Sequence, residues 1–356
     1  MNEWKEYKLK DVANVKYGKA HQSLSDGYIP AYGSGGLIRY VEKALYNEES
    51  ILIPRKGTLN NIIYKDEPFW TVDTMFWTEL NKKIIVPKYL FYQLSLIDFS
   101  NMNVGSAVPS MTIPILNDID IYVPSIPEQT AIASILSSLD DKIALLHRQN
   151  ATLEKMAETL FRQWFVEEAK EEWEEGNLGE VIEIYDKLRI PLSKMERDKK
   201  KDGPLYPYYG AAQIMDYINE YIFDGEYILL GEDGTVRTDE GYPVLQYATG
   251  KFWVNNHTHV IKAKHPYNNF FILNYLKKKN IDEIVTGAVQ PKINQANLKS
   301  IDFPKYPENL VIEFNTVTNP VFNKIKHNIT QIRTLTALRD VLLPKLMSGE
   351  VRVDQD

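Results

Sequence analysis

Two histidines at alternate positions, His257-Thr258-His259, place two imidazoles on one face of a β-type run, and they are the closest the sequence comes to a metal pair. No third His, Asp or Glu is evident beside them, and the matching stretch of the first half carries Thr74 and Phe76 instead. Surface recognition or plain packing is therefore the expected role, and no metal is assigned. His21, His147, His265 and His327 are scattered and expected to be structural or solvent-facing. The chain has no cysteine, which excludes a disulfide framework, a thiolate zinc site, an iron–sulfur cluster and a cysteine nucleophile. A phosphate-cradling loop is also missing, because Gly18-Lys19 and Gly250-Lys251 are not followed by Ser or Thr. Gly33-Ser34-Gly35-Gly36 is glycine-rich but its counterpart Gly210-Ala211-Ala212-Gln213 is not, so a turn is expected there. Asn319-Pro320-Val321-Phe322 lacks the second proline of the loop with which amino-methyltransferases hold a target amine, and it lies at an expected helix start. No catalytic residue is assigned.

The elements that carry these residues occur twice. Residues 30–58 align without gaps on 207–235, with Pro30/Pro207, Tyr32/Tyr209, Gly33/Gly210, Tyr40/Tyr217, Glu49/Glu226, Ile51/Ile228, Leu52/Leu229, Gly57/Gly234 and Thr58/Thr235 identical. Phe69-Trp70 then matches Phe252-Trp253, Ala107-Val108 matches Ala288-Val289, and Pro127-Glu128 matches Pro307-Glu308. In each half β-type runs (50–54 and 70–80; 227–230 and 251–263) precede a short helix (87–96; 268–279), a loop (104–117; 286–297) and a long helical stretch. The expected fold is α+β: two homologous mixed α/β domains in a pseudo-two-fold internal repeat, joined by two long helices. The expected boundaries are 1–125, helix 126–170, 171–306, helix 307–350 and a tail at 351–356.

Apolar residues from Ile132 to Trp164 recur at alternating spacings of 4 and 3, interrupted by Asn150. Phe314 to Leu346 follow the same spacing, with Asn328 and Arg339 among the polar exceptions. If Ile132 faces Leu346 in an antiparallel pair, Asn150 falls opposite Asn328. A parallel pair would set each amide against an apolar partner, at about 1–3 kcal/mol apiece. An antiparallel coiled coil with an Asn150–Asn328 layer in register is therefore expected, against the alternative of an ordinary amphipathic helix packing on its own domain. Pro320 is expected to start the second helix, leaving Phe314 and Thr318 in a separate turn, and Pro344 to end or kink it.

With 356 residues, 44% hydrophobic and 25% charged, the chain reads as about two soluble globular domains. It has no run of 18 apolar residues and no apolar run in Met1-Asn2-Glu3-Trp4-Lys5-Glu6, so a cytoplasmic location without membrane contact is expected. The net charge of −7 speaks at first sight against nucleic acid. Nearly all of that excess, however, sits in the acidic run 167–176, expected to be a solvated connector. The near-neutral remainder leaves room for a basic face.

Three segments carry a family resemblance: Ile126-Pro127-Glu128-Gln129, Leu160-Phe161 followed by Trp164-Phe165-Val166, and the chain end Leu342-Leu343-Pro344-Lys345-Leu346-Met347-Ser348-Gly349-Glu350-Val351. With the repeat, they resemble the specificity (S) subunit of type I restriction-modification systems over essentially the whole chain. Pro307-Glu308-Asn309, where the first helix has Pro-Glu-Gln, is a small departure. The resemblance implies that each globular half is a target-recognition domain reading one part of an asymmetric, split sequence in double-stranded DNA. The helices, of about 57 Å for about 38 residues, would set the spacing and dock two modification subunits, which methylate adenine at N6. It also implies restriction subunits as partners, and no catalysis or bound cofactor in this chain. S-adenosylmethionine, ATP and Mg would belong to the partners.

Loop residues suited to base edges and phosphates are the expected DNA contacts. After the matched strands these are Arg55, Lys56, Thr58, Asn60 and Asn61, opposite Thr235 and Arg237; Glu232 and Asp233 replace Arg55 and Lys56, so the halves cannot use this loop alike. Next come Asp73 and Thr74, opposite Asn256 and His257, with His259. The late loops add Ser106, Ser110 and Thr112, and Gln290, Lys292, Asn294 and Gln295. Gln290-Pro291-Lys292-Ile293-Asn294 resembles the family's DNA-facing loop. Tyr206, Tyr208 and Tyr209 are aromatic candidates for base stacking, with buried packing the favoured role. The competing classes are a stand-alone nuclease or methyltransferase, and a scaffold of two binding modules without a DNA role.

Overall fold

A computed structural model describes residues 4–103, 108–167, 173–287 and 289–353. The chain divides into two compact units, Met1–Leu145 with Gln331–Asp356, and Leu146–Thr330. Both long helices contribute to both units.

In the first unit, strands Ala13–Tyr17, Met75–Leu80, Ser50–Pro54 and Ile63–Lys65 form a four-stranded sheet in that spatial order. A second sheet orders Gly36–Val41, Asp26–Gly33 and Trp70–Thr71. The second unit has one six-stranded sheet in the order Ile182–Ile184, Thr258–Ala263, Phe223–Gly231, Leu245–Val254, Tyr206–Tyr209 and Ile214–Ile218. The strand order of these sheets is the same in both units, and the first adds an antiparallel pair, Lys5–Lys8 with Asp120–Val123, where the second has a single bridge between Asn177 and Asp302. The uninterrupted strand Leu245–Val254 does the work of Ile63–Lys65 and Trp70–Thr71, which Asp66-Glu67-Pro68 separates in the first unit; a proline has no N–H for the ladder.

The repeat extends to register and side chains. Ala31 and Tyr32 pair in parallel with Trp70 and Thr71, as Tyr208 and Tyr209 do with Trp253 and Val254. Trp70 Nε1 donates to the Lys19 carbonyl at 2.9 Å, and Trp253 Nε1 to that of Ile190 at 2.6 Å. The β-run expected over 70–80 is broken at 72–74, and that over 251–263 at 255–257, so each is two strands joined by a tight turn. The short helices are Pro87–Ser95 and Asn269–Leu276, the latter capped by Asn268, whose side chain accepts from Phe271 N at 2.8 Å.

The first long helix spans Ile126–Arg162 and ends in a π-helical turn, Gln163–Glu167. Gln129 explains its opening sequence: it is fully buried, its Oε1 accepts from Val86 N at 2.7 Å, and its Nε2 donates to the carbonyls of Ile84 and Pro124, both at 3.0 Å. The second long helix spans Glu308–Met347 without a break. The expectation that Pro320 starts it is therefore corrected, whereas the helix does end shortly after Pro344. A mid-helix proline costs about 3 kcal/mol. Burial of Val311, Phe314, Thr318, Phe322 and Ile325 on one stripe outweighs that cost, with Pro320 itself on the exposed side.

The helices run antiparallel within each unit. In the first, Ile132 and Leu136 share a core with Leu346 and Met347, and Arg339 Nη1 meets Asp140 Oδ1 at 2.9 Å. In the second, Asn328 Nδ2 donates to Asn150 Oδ1 at 2.9 Å, the expected amide layer. The second helix also packs on its own domain: Phe314 lies within 6 Å of Phe161, Phe165 and Phe271 by ring centroids, and Phe270 stacks on Phe322 at 3.8 Å. The Phe-x-x-Trp-Phe sequence that closes the first helix supplies this aromatic core.

Candidate nucleic-acid interface

Each unit brings three loops to one junction through the same backbone hydrogen bonds. In the first, Arg55 N donates to the Thr74 carbonyl at 2.8 Å, Gly57 N to Pro109 at 3.0 Å, and Met111 N to Arg55 at 2.8 Å. In the second, Glu232 N donates to His257 at 2.9 Å, Gly234 N to Pro291 at 3.0 Å, and Ile293 N to Glu232 at 2.8 Å. Gly57 and Gly234 have φ of +84° and +77°, a conformation that disfavours any residue with a Cβ. This is why the glycine of the matched segment is the same in both halves. The three groups of sequence-selected loops are thus neighbours, although they are far apart along the chain.

The side chains on this common frame differ. In the first unit Lys56, Thr58 and Asp73 are exposed, and Thr74 is half-buried with its Oγ1 accepting from Ser34 N at 3.4 Å. Arg55 is half-buried, donating from Nη1 to the Asp73 carbonyl at 2.8 Å and lying over the Tyr17 ring. Asn60 and Asn61 brace the loop: Asn60 Nδ2 donates to Asp98 Oδ1 and Asn61 Nδ2 to the Ser34 carbonyl, both at 2.9 Å. Ser110 N donates to Asn103 Oδ1 at 2.8 Å, and Thr112 immediately precedes helix Ile113–Asn117. Ser106 lies outside the described residues.

In the second unit Thr235, Asn256, His257 and Gln290 are exposed. The Nδ1 of His257 is paired with Asp233 Oδ1. Arg237 is paired with Asp282, and Lys292 lies 3.5 Å from Glu232 Oε1. Asn294 caps helix Gln295–Lys299 through Asn297 N at 2.8 Å, and Gln295 Nε2 donates to Asp186 Oδ2 at 2.7 Å.

His259 is corrected. It is fully buried, with Nδ1 on Asp186 Oδ2 at 2.6 Å and Nε2 on the Ile293 carbonyl at 2.8 Å, so it supports the junction from beneath rather than touching DNA. The alternation that put it on the same face as His257 fails because the turn 255–257 ends before the strand begins at Thr258. Tyr208 and Tyr209 are likewise buried.

Sequence reasoning missed the charged network around His259. Asp186, Glu232 and His259 offer ligand atoms within 4.8 Å of one another; the two carboxylates beside His259 were not evident from sequence, and His257 is not part of the group. Two cations meet them: Arg189, at 2.5 Å from Glu232 Oε2 and 3.6 Å from Asp186 Oδ2, and Lys292, at 3.5 Å from Glu232 Oε1. Both His259 nitrogens are hydrogen-bonded within this ion-pair network, Nδ1 to Asp186 and Nε2 to the Ile293 carbonyl. Burial pushes the Asp186 carboxyl up, but the hydrogen bond and charge of His259, the Val260 N–H and the Arg189 guanidinium outweigh it and hold it below the ordinary carboxylate range. Asp186 and Arg189 lie in the least repeat-like part of the sequence, and no spacing pointed to them.

A family model for the type I restriction modification DNA specificity domain matches residues 1–155 and again 170–308. The type I restriction enzyme MjaIX specificity subunit of Methanocaldococcus jannaschii is 26% identical over 397 residues, covering 97% of this chain and 86% of the relative. The putative type I restriction enzyme specificity subunit S.HindORF215P of Haemophilus influenzae is 37% identical over 147 residues, 41% of this chain and 36% of the relative. The crystal structure of a type I restriction-modification S subunit from M. genitalium shares the fold, with a TM-score of 0.63 at 18% identity over 100% of this chain and 98% of the other. A domain model matched twice, once on each junction-bearing half, makes this chain a member of the type I restriction-modification DNA specificity family.

Proposed function

We infer that this chain is the sequence-reading subunit of a type I restriction-modification complex, each half recognising one part of an asymmetric, bipartite duplex target. The observation that carries this reading is one hydrogen-bonded frame built twice with different outward chemistry. At equivalent places Lys56 on one copy is matched by Asp233 on the other, and Asp73 and Thr74 by Asn256 and His257. A basic side chain suits phosphate or guanine, and an amide or imidazole offers both donor and acceptor to base edges. Two different half-sites follow from two different sets of side chains on an equal scaffold.

In this reading the chain carries no catalysis of its own and binds no cofactor. Two modification subunits dock on the long helices and methylate adenine at N6 with S-adenosylmethionine. Restriction subunits supply the ATP- and Mg-dependent steps. The helices fix the half-site spacing, and the complex works in the cytoplasm. No helix among the described residues is long and apolar enough to cross a membrane. The test is binding of the assembled complex to duplex DNA across a salt series. Tight binding whose logarithm falls linearly with the logarithm of salt concentration supports the reading. Binding that is absent, or that is present in partner subunits alone and unchanged by this chain, refutes it.

A further inference from the structure

The turns 72–74 and 255–257 each meet a guanidinium, but it arrives from different places in the two halves. In the first, Arg55 Nη1 donates to the Asp73 carbonyl at 2.8 Å. Glu232 occupies the equivalent place in the second, since its N–H holds His257 as that of Arg55 holds Thr74. There Arg189, from a separate segment, donates from Nη1 to the Thr258 carbonyl at 2.6 Å, the Asn256 carbonyl at 3.4 Å and Glu232 Oε2 at 2.5 Å. Asn256 is the counterpart of Asp73, so both guanidinium groups reach the carbonyl of the same turn position.

The exchange has a steric cause. Trp70 and Trp253 donate to the carbonyls of Lys19 and Ile190, which makes Gly18 and Arg189 the residues before equivalent points. A Cβ on Gly18 would stand 2.0 Å from the Val72 carbonyl oxygen and 2.7 Å from that of Thr71. No side chain fits there, and the cation comes from Arg55 instead. In the second half Arg189 supplies it with a side chain only 11% exposed, and the carboxylate of Glu232 takes the position that would otherwise set two guanidinium groups in one niche.

We propose that this guanidinium, Arg55 in the first half and Arg189 in the second, is the positioning group of each reader, fixing the turn that presents Asp73 and Thr74 or Asn256 and His257 to the bases. The proposal rests on the DNA-reading role inferred above. Its test is methylation-motif sequencing of complexes formed with the full chain, as wild type, R55Q, R55K, R189Q and R189K, in a host without adenine methylation. R189Q is expected to relax base preference roughly tenfold in one half-site while the other stays strict. R55Q is expected to do the same at the opposite half-site, and each Lys variant to fall between Gln and wild type. A group that only holds the fold together lowers methylation at all sites without changing which bases are accepted. That uniform loss overturns the proposal, as does an unchanged motif, or the failure of both variants at a position to give soluble complex. A wild-type complex that writes no motif at all strikes the DNA-reading role itself and takes the proposal with it.

Discussion

Replacing Asn150 and Asn328 by leucine, singly and together, probes the element that fixes the helix register. Asn328 is fully buried. Its Nδ2 donates to Asn150 Oδ1 at 2.9 Å and to Gln149 Oε1 only at 3.4 Å, and its Oδ1 finds no partner among the described residues. Asn150 keeps 8% of its surface. N150L strands a wholly buried amide N–H and should cost about 2–3 kcal/mol, the upper part of the range for an orphaned buried donor. N328L strands one oxygen on the partly accessible Asn150 and removes an already orphaned one, so a smaller cost of about 1 kcal/mol is expected. The double variant replaces both partners with apolar groups and should be neutral or stabilising, which gives a coupling of about 2 kcal/mol or more. The assay is urea unfolding of the full chain and its three variants, with tertiary contact followed by tryptophan fluorescence. Equal losses in the two single variants that simply add in the double would refute the pairing.

Further predictions follow from the second unit. H259A leaves the Asp186 carboxylate buried and stripped of its main partner and should cost about 3–5 kcal/mol by the same unfolding measurement; a loss below 1 kcal/mol would contradict the assigned network. Because the native Asp186 carboxyl lies below its ordinary value, its stabilising contribution is present above the unfolded pKa and is lost as pH falls through the folded one. The acid side of the stability–pH curve should therefore be shallower in D186N than in wild type, and identical slopes would count against the shift. P320A restores an amide N–H in the middle of a helix on its exposed side and should stabilise by about 1–3 kcal/mol, read as a rise in thermal midpoint. At Gly234, with φ of +77° and open space around a new Cβ, alanine should cost roughly 1–2 kcal/mol from backbone strain alone.

The repeat, the two long helices and the amide layer were legible because each has a period or an identity that survives in sequence. Asn150 interrupts one apolar seam and Asn328 the other, and only an antiparallel register satisfies both. The clustering of three distant loop groups could be anticipated from the matched strands, but the roles within the cluster could not. Asn60, Asn61 and Asn294, selected by type as base readers, also brace and cap their own loops, a role that residue type alone does not reveal. His259 looks exposed by alternation and is buried, because the turn 255–257 resets the period. Arg189 was invisible because it does in the second half what Arg55 does in the first, from an unaligned position. Pro320 lies mid-helix because the stripe from Val311 to Ile325 holds the helix on its domain, which local propensity does not reveal.

The central claim, one frame presenting two different readers of a split target, is tested most directly by methylome sequencing. The chain is expressed with its modification subunit in a host lacking adenine methylation, beside the same host without the chain. The account predicts N6-methyladenine in one asymmetric, two-part motif that appears only when the chain is present. Methylation that is independent of the chain, or no motif despite an assembled complex, would contradict it.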